Sequence, residues 1–134
     1  STFTKPPLDG SLSLLDIIFS HGVHSFHHPL FKYVDVDNGI RAIVWSEAIK
    51  AFNIATQYTM KSTGTSNLGC IDSTSASSPP PVVGILANLD SITYYTLVIG
   101  IMNAGFTPFP ISPRNSTESV AHLLESTGCE AVFV

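Results

Sequence analysis

The chain has 134 residues, of which 44% are hydrophobic and 12% charged, and its formal net charge is -4. Such a composition buries a core and is not that of a disordered chain. Six Lys and Arg, scattered rather than clustered, leave no basic face for nucleic acid.

Ser1 to Gly10 carries two prolines and no periodicity, and reads as an extended lead-in. Leu12, Leu14, Leu15, Ile17, Ile18 and Phe19 form a short apolar stripe with Asp16 exposed, which suits a helix of about two turns docked on the body. His21, His24, His27 and His28 follow. A structural zinc site needs four convergent ligands, and no cysteine or carboxylate stands near these histidines at ligand spacing, so they read as a surface loop running into Pro29. Leu30 to Asp35 alternates as a strand, Asp37-Asn38-Gly39 is a turn in which the Asn-Gly pair tolerates positive φ, and Ile40 to Trp45 returns as the partner strand. Ser46 is the expected cap of a helix with Glu47 in its first turn. Its inner face runs through Ala48, Ile49, Phe52, Ala55 and Thr59 to about Lys61, with Ile54 and Tyr58 flanking.

Residues 62–81 contain six Ser, three Thr, two Gly and three Pro. So little apolar surface predicts a flexible loop, and deleting Ser66 to Ser78 is expected to change stability little, since loop-closure entropy varies by only ~0.6 kcal/mol per doubling of length. Ser62-Thr63-Gly64-Thr65 has a superficial likeness to a phosphate-binding loop. It ends a helix instead of leaving a strand, however, and no lysine follows it.

From Val82 onward the chain reads as two strand-then-helix units. Val82 to Ala87 is a β-branched apolar run, the pattern of a strand buried on both faces of a parallel sheet. Ser91, with Asp90 beside it, is the expected cap of a helix from Ile92 to Ala104 that is apolar nearly all round and therefore buried. That stretch is shorter than the ~20 residues a bilayer span needs, and Thr93, Thr96, Gly100 and Asn103 interrupt it, so it is core. Gly105 stops the helix. Phe106 to Ile111 is extended, and its two prolines place it at a sheet margin. Ser112-Pro113-Arg114-Asn115 is a turn. Asn115-Ser116-Thr117 matches a glycosylation acceptor pattern but reads as the entry to a second helix, Ser116 to Ser126, with Glu118 in its first turn and Gly128 past its end. Glu130 to Val134 is a last strand. The fold class expected is α/β: a partial three-layer sandwich of parallel strand–helix repeats preceded by a β-hairpin and a helix.

Ile101-Met102-Asn103-Ala104-Gly105-Phe106-Thr107-Pro108-Phe109-Pro110-Ile111-Ser112 resembles a motif of the adenylate-forming (AMP-binding) superfamily, which contains acyl-CoA synthetases, luciferases and the adenylation domains of nonribosomal peptide synthetases. The strand ending at Asn88 and the helix tail from Leu123 to Val132 are similar to that family in order and spacing. Val44-Trp45-Ser46-Glu47-Ala48-Ile49, preceded by His28-Pro29-Leu30-Phe31-Lys32-Tyr33, is similar to fungal members in which an adenylation domain precedes carrier and reductase domains.

The resemblance implies that residues 1–134 are an incomplete N-terminal portion of an adenylation domain, with residues 62–81 a loop within it. It implies a parent enzyme that uses ATP and Mg to convert a carboxylic acid to an acyl adenylate, passes it to a phosphopantetheine thiol and reduces it with NADPH. The family's phosphate loop, adenine-binding motif, ribose-binding aspartate and late catalytic lysine match nothing here. No catalytic, cofactor-binding or metal-binding residue is assigned to this chain, and no cofactor is expected on it. The expected partners are the remainder of its own domain and the acid substrate, with no nucleic acid and no membrane. With no charged leader before an apolar segment and no cysteine spacing motif, the compartment expected is cytoplasmic. The alternative is a non-catalytic Rossmann-like nucleotide-binding or interaction module. Asp9, Asp16, Asp35 and Asp90 read as helix-end, turn and surface carboxylates. Arg114 stands at the carboxyl end of a strand, the side where α/β folds bind ligands. It reads either as a solvated turn residue or as a contact to a pantetheine or CoA phosphate.

Overall fold

The computed structural model describes residues 1–64 and 79–134. Most of the loop expected over 62–81, including everything predicted for Ser66 to Ser78, lies outside the described residues. The chain divides into two compact units, Ser1–Ile54 and Ala55–Val134.

The first unit holds α1 (Leu14–His24), β1 (Pro29–Asp35), β2 (Gly39–Val44) and the first half of α2 (Trp45–Ser62). Helix α1 opens on a reciprocal cap: the Asp16 N–H donates to Ser13 Oγ at 3.1 Å, and the Ser13 N–H donates to the Asp16 carboxylate at 3.0 Å. The helix is longer than the expected two turns and takes in His21 and His24. Its buried side chains, Ile18 and His21, are three residues apart and share a face, whereas Leu14 of the expected stripe is exposed. Strands β1 and β2 pair antiparallel from Pro29↔Val44 to Asp35↔Gly39. At the turn the Asp35 carboxylate accepts the N–H groups of Asp37 and Asn38 at 2.9 and 3.2 Å, and only Gly39 takes positive φ, at 73°.

Helix α2 begins at Trp45, one residue before the expected cap Ser46. The reason is that distant backbone does the capping: Trp45 N–H donates to His28 O and Ser46 N–H to Phe26 O, both at 3.1 Å. Glu47 reaches back to accept the Val44 N–H at 3.1 Å. Ala48 and Phe52 are buried as expected, and Ile54 and Tyr58 are exposed.

In the second unit β3 (Val82–Ile85), β4 (Thr107–Pro110) and β5 (Ala131–Phe133) form a parallel sheet in the order β4-β3-β5. The strands are shorter than the apolar runs that announced them. The connecting helices, α3 (Ser91–Asn103) and α4 (Thr117–Thr127), lie on opposite faces because the first crossover moves one way along the sheet and the second moves back past β3. Val83 and Ile85 pack with Ile101, Phe106, Leu97 and Val98 on the α3 face. Gly84 points the other way, where an added Cβ would meet Cys129 Sγ, Ile111 and Leu124 of α4. This is the α/β, partial three-layer arrangement of parallel strand–helix repeats.

Two local expectations are corrected. Asp90, not Ser91, caps α3, its carboxylate accepting the N–H groups of Ile92 and Thr93 at 3.0 Å each; carboxylate oxygen is the stronger acceptor at a helix N-terminus. Helix α3 is also not buried all round. Only Ile99, Gly100 and Ile101 are buried, while Thr93 and Tyr95 are exposed. Gly100 sits against the second half of α2, where an added Cβ would lie 2.4 Å from Ala55 Cβ and 2.7 Å from the Ala55 carbonyl carbon. Beside it Asn103 Nδ2 donates to Thr56 Oγ1 at 3.0 Å. Among the described residues, no helix is long and apolar enough to cross a membrane.

Candidate functional site

The carboxyl end of the parallel sheet is the first place to look for a ligand in this fold class. There a cleft of about 270 Å³ is lined by Leu86, just past β3, by Pro113 and Asn115 of the turn after β4, and by Thr117 and Val120 of α4. The turn is held by the Asn115 N–H on Ser112 O at 3.1 Å and the Arg114 N–H on Ser112 Oγ at 3.3 Å. Ser116 caps α4, accepting the Ser119 N–H on its hydroxyl at 3.2 Å, so Asn115-Ser116-Thr117 is a helix entry as read from the sequence. Arg114 is exposed on the turn and does not line the cleft. Glu118 puts a carboxylate in the first turn of α4, which opposes an anion there.

His27 and His28 lie in the turn after α1, with His27 exposed as expected, and His24 is exposed at the end of α1, but His21 departs from the expected surface loop. His21 is buried in the last turn of α1. Its ring stacks on Trp45 at 4.6 Å and 25° and on Phe3 at 5.2 Å and 26°, with Nδ1 3.1 Å from Ser25 Oγ. Ser25 Oγ also accepts the Thr4 N–H at 2.9 Å, and His28 Nδ1 lies 2.9 Å from Thr2 Oγ1, so the first residues are bound to the end of α1. A neutral imidazole with a bonded nitrogen can be buried as a flat aromatic group. Burial holds the His21 pKa below 6.5, and the neighbouring His28 and His24 lower it further. Among the described residues no three His, Cys, Asp or Glu side chains come together as metal ligands. Beside this cluster, Thr4 to Pro7 and the α1 side chains Ser20 and His24 line a second cleft, of about 260 Å³.

Of the Ser/Thr/Gly tetrapeptide, the described residues end a helix. Ser62 is the last residue of α2, and the Thr63 hydroxyl donates to Thr59 O at 2.9 Å. Gly64 follows at φ 73°, and Thr65 lies outside the described residues. Phosphate would meet the negative pole of a helix here. The four aspartates singled out hold local turns and helix starts. Hydrogen bonds from Ser11, Ser13 and Thr93 hold Asp9, Asp16 and Asp90 below the ordinary carboxylate pKa, and the Asp37 N–H does the same for Asp35.

No family model matches the chain. Adenylate-forming reductase Nps10 of Heterobasidion annosum is 46% identical to it over 133 residues, which is 99% of this chain. Adenylate-forming reductases Nps11 and Nps9 of Serpula lacrymans var. lacrymans (strain S7.9) are 31% identical over 134 residues and 27% identical over 128. By sequence, the chain matches a fragment of these adenylate-forming reductases. It spans 12% of the length of the Heterobasidion protein and 11% of each Serpula protein.

In this chain, the run from Ile101 to Ser112 is a helix stop joined to a strand at one edge of the described sheet. Phe106 N–H donates to Ile101 O at 3.1 Å and Gly105 N–H to Met102 O at 3.0 Å, with Gly105 at φ 89°. The chain then turns directly into β4. Sequence reasoning missed Cys129, whose Sγ accepts the Gly84 N–H and donates to Ala131 O, both at 3.1 Å, bridging β3 to the start of β5. A lone cysteine after a helix-ending glycine carries no signal of that role.

Proposed function

We propose that this chain is the N-terminal portion of an adenylation domain, within an enzyme that activates a carboxylic acid with ATP and Mg and passes the acyl group to a phosphopantetheine thiol. Reduction by NADPH follows in a further domain. The observation that carries the reading is the 46% identity across 99% of the chain with a protein named an adenylate-forming reductase. The helix stop at Gly105 and the proline-bearing β4 support it, being the residues on which the family resemblance rests. The chain's own contribution is scaffold: β3 with α3 and α4 on its two faces. No residue of it is proposed as catalytic, cofactor-binding or metal-binding. Its partner is the rest of the same domain, and its compartment is the cytoplasm.

The test is carboxylate-dependent exchange of labelled pyrophosphate into ATP by the purified full-length protein, over a panel of aryl, fatty and amino acids. At least one acid should stimulate exchange, and adding the thiol carrier and NADPH should then give acid-dependent NADPH oxidation. Silence in both assays across the panel would favour a non-catalytic nucleotide-binding or interaction module. Calorimetric titration of the 134-residue chain with Mg-ATP should show no binding. A micromolar affinity would place a nucleotide site on these residues and overturn the scaffold assignment.

A further inference from the structure

Residues 1–13 form no helix or strand, yet the first of them are tied to the end of α1 and to the turn after it. Thr4 N–H donates to Ser25 Oγ at 2.9 Å, the Thr4 hydroxyl donates to His24 O at 2.8 Å, and Thr2 Oγ1 lies 2.9 Å from His28 Nδ1. Phe3 lies beside two imidazoles, its ring centroid 5.2 Å from that of His21 and 5.2 Å from that of His28. Phe3 and Trp45 both stack on His21, one on each face, which makes the imidazole the middle of three rings. Beyond Thr4 the chain stands off. Lys5, Pro6 and Pro7 border the cleft of about 260 Å³ together with Leu12, Ser20 and His24, and exposed Gly10 follows at φ 83°. Thr2, Phe3 and Thr4 therefore do the holding, and Gly10 offers a pivot.

The middle of the stack suits a neutral ring and burdens a charged one. His21 Nδ1 has Ser25 Oγ as its partner at 3.1 Å, and the same hydroxyl oxygen holds the Thr4 N–H. The titratable groups that act on the ring are His28 in the turn and His24 on its own helix, both of them bases, so a proton on one opposes a proton on the next. The strap brings Lys5, which lines the cleft with His24, and α2 brings Glu47, whose carboxylate is engaged by the Val44 N–H. Of the three segments that meet at the ring, α1 and α2 are held by their own helical bonds. The strap has only its docking contacts.

We propose that the strap of residues 1–7 is an acid-released latch: protonation of His21 within the Phe3–His21–Trp45 stack frees Phe3 and Thr4 from the end of α1, while α1 and α2 keep their places. With the strap undocked, the ring meets water and titrates near its ordinary 6.5, whereas docked it titrates lower, because burial and the two neighbouring histidines disfavour the cation. The undocked state therefore binds the proton more readily. Docking is at full strength above about pH 6.5 and is lost as pH falls through the docked value.

Amide hydrogen exchange in the full-length protein tests this, with each rate taken relative to the intrinsic rate at the same pH. Protection of the Thr4 amide should fall about threefold to tenfold between about pH 7.5 and about pH 5, while that of the Ser46 amide, bonded to Phe26 O, stays level. His21→Phe keeps a ring in the stack and takes no proton, so its Thr4 amide should be equally protected across the range. Protection of Thr4 that is constant or rises on acidification of wild type would overturn the proposal, a rise showing a stack that tightens around the cation. Equal losses at Thr4 and Ser46 would also overturn it, because the whole unit then opens. A second variant, Phe3→Ala, removes the outer ring and leaves the sequence of α1 unchanged. In it the His21 pKa, read from the exchange of its imidazole C2 hydrogen, should move up toward 6.5. An unmoved value would show that the strap does not sense this proton, and would overturn the latch.

Discussion

In the parallel sheet Val83 and Ile85 of β3 have no exposed surface, whereas Val34, Val36 and Ile40 of the hairpin keep 79%, 99% and 78% of theirs. Both segments are rich in β-branched residues, so strand propensity does not separate them. Cover does. Strand β3 has a neighbour on each side and a helix over each face, while the outer half of the hairpin has, among the described residues, its pairing partner and little other cover. A two-stranded hairpin is marginal by itself, and this one is held at its root, where the backbone of residues 26–28 caps α2 and Trp45 is buried against His21. The same kind of residue is therefore core in one place and surface in the other.

Truncating matched isoleucines is the most direct way to break that comparison. Ile85→Ala removes a fully buried side chain on the α3 face of the sheet and should cost about 2–5 kcal/mol in a urea titration. A loss below about 1 kcal/mol would show that the α3 face can collapse around the gap. Gly100→Ala should cost about 1–3 kcal/mol or more, because the new methyl meets the backbone of Ala55 and Thr56 and not a flexible side-chain tip. An unchanged unfolding midpoint would mean that α2 and α3 can separate freely within the second unit.

The first unit should answer to pH. The folded His21 pKa lies below its unfolded value near 6.5, so the unfolded chain binds the proton more readily. The resulting stability is fully present above about pH 6.5 and is lost as pH falls through the folded value. The nearby His28 and His24 add to the lowering of the His21 pKa that burial begins. Thermal unfolding of wild type should therefore drop on acidification through this window, and His21→Phe, which keeps a ring but cannot take a proton, should flatten the slope. An identical slope in the variant would assign the pH response elsewhere. The smallest effect belongs to Ile40→Ala at the hairpin tip, expected within about 0.5 kcal/mol of wild type. A larger loss would reveal cover over that face in solution.

What was legible followed from local chemistry. Gly105 and Gly128 both take positive φ after helices, as a stop without Cβ strain requires, and two prolines within four residues sent β4 to an edge. The Asp and Ser residues at helix starts and turns bond backbone within three positions of themselves, so their neighbours in sequence suffice to read them. No site residue was assigned from sequence. The structure adds none at Arg114, whose turn holds its own backbone while the cleft beside it is lined by its neighbours.

Periodicity, glycine and proline placement and short motifs thus determined the elements, the α/β class and the family resemblance, because each depends on backbone preferences within a few residues. Tertiary structure alone decided three things. The strand order β4-β3-β5 depends on the direction of each crossover, which no local preference encodes. The start of α2 moved to Trp45 because carbonyls at Phe26 and His28, distant in sequence, satisfy its first N–H groups. His21 became core and not loop because Trp45 and Phe3 close on its ring, and a titratable side chain is buried only where partners from elsewhere in the chain replace the water it gives up.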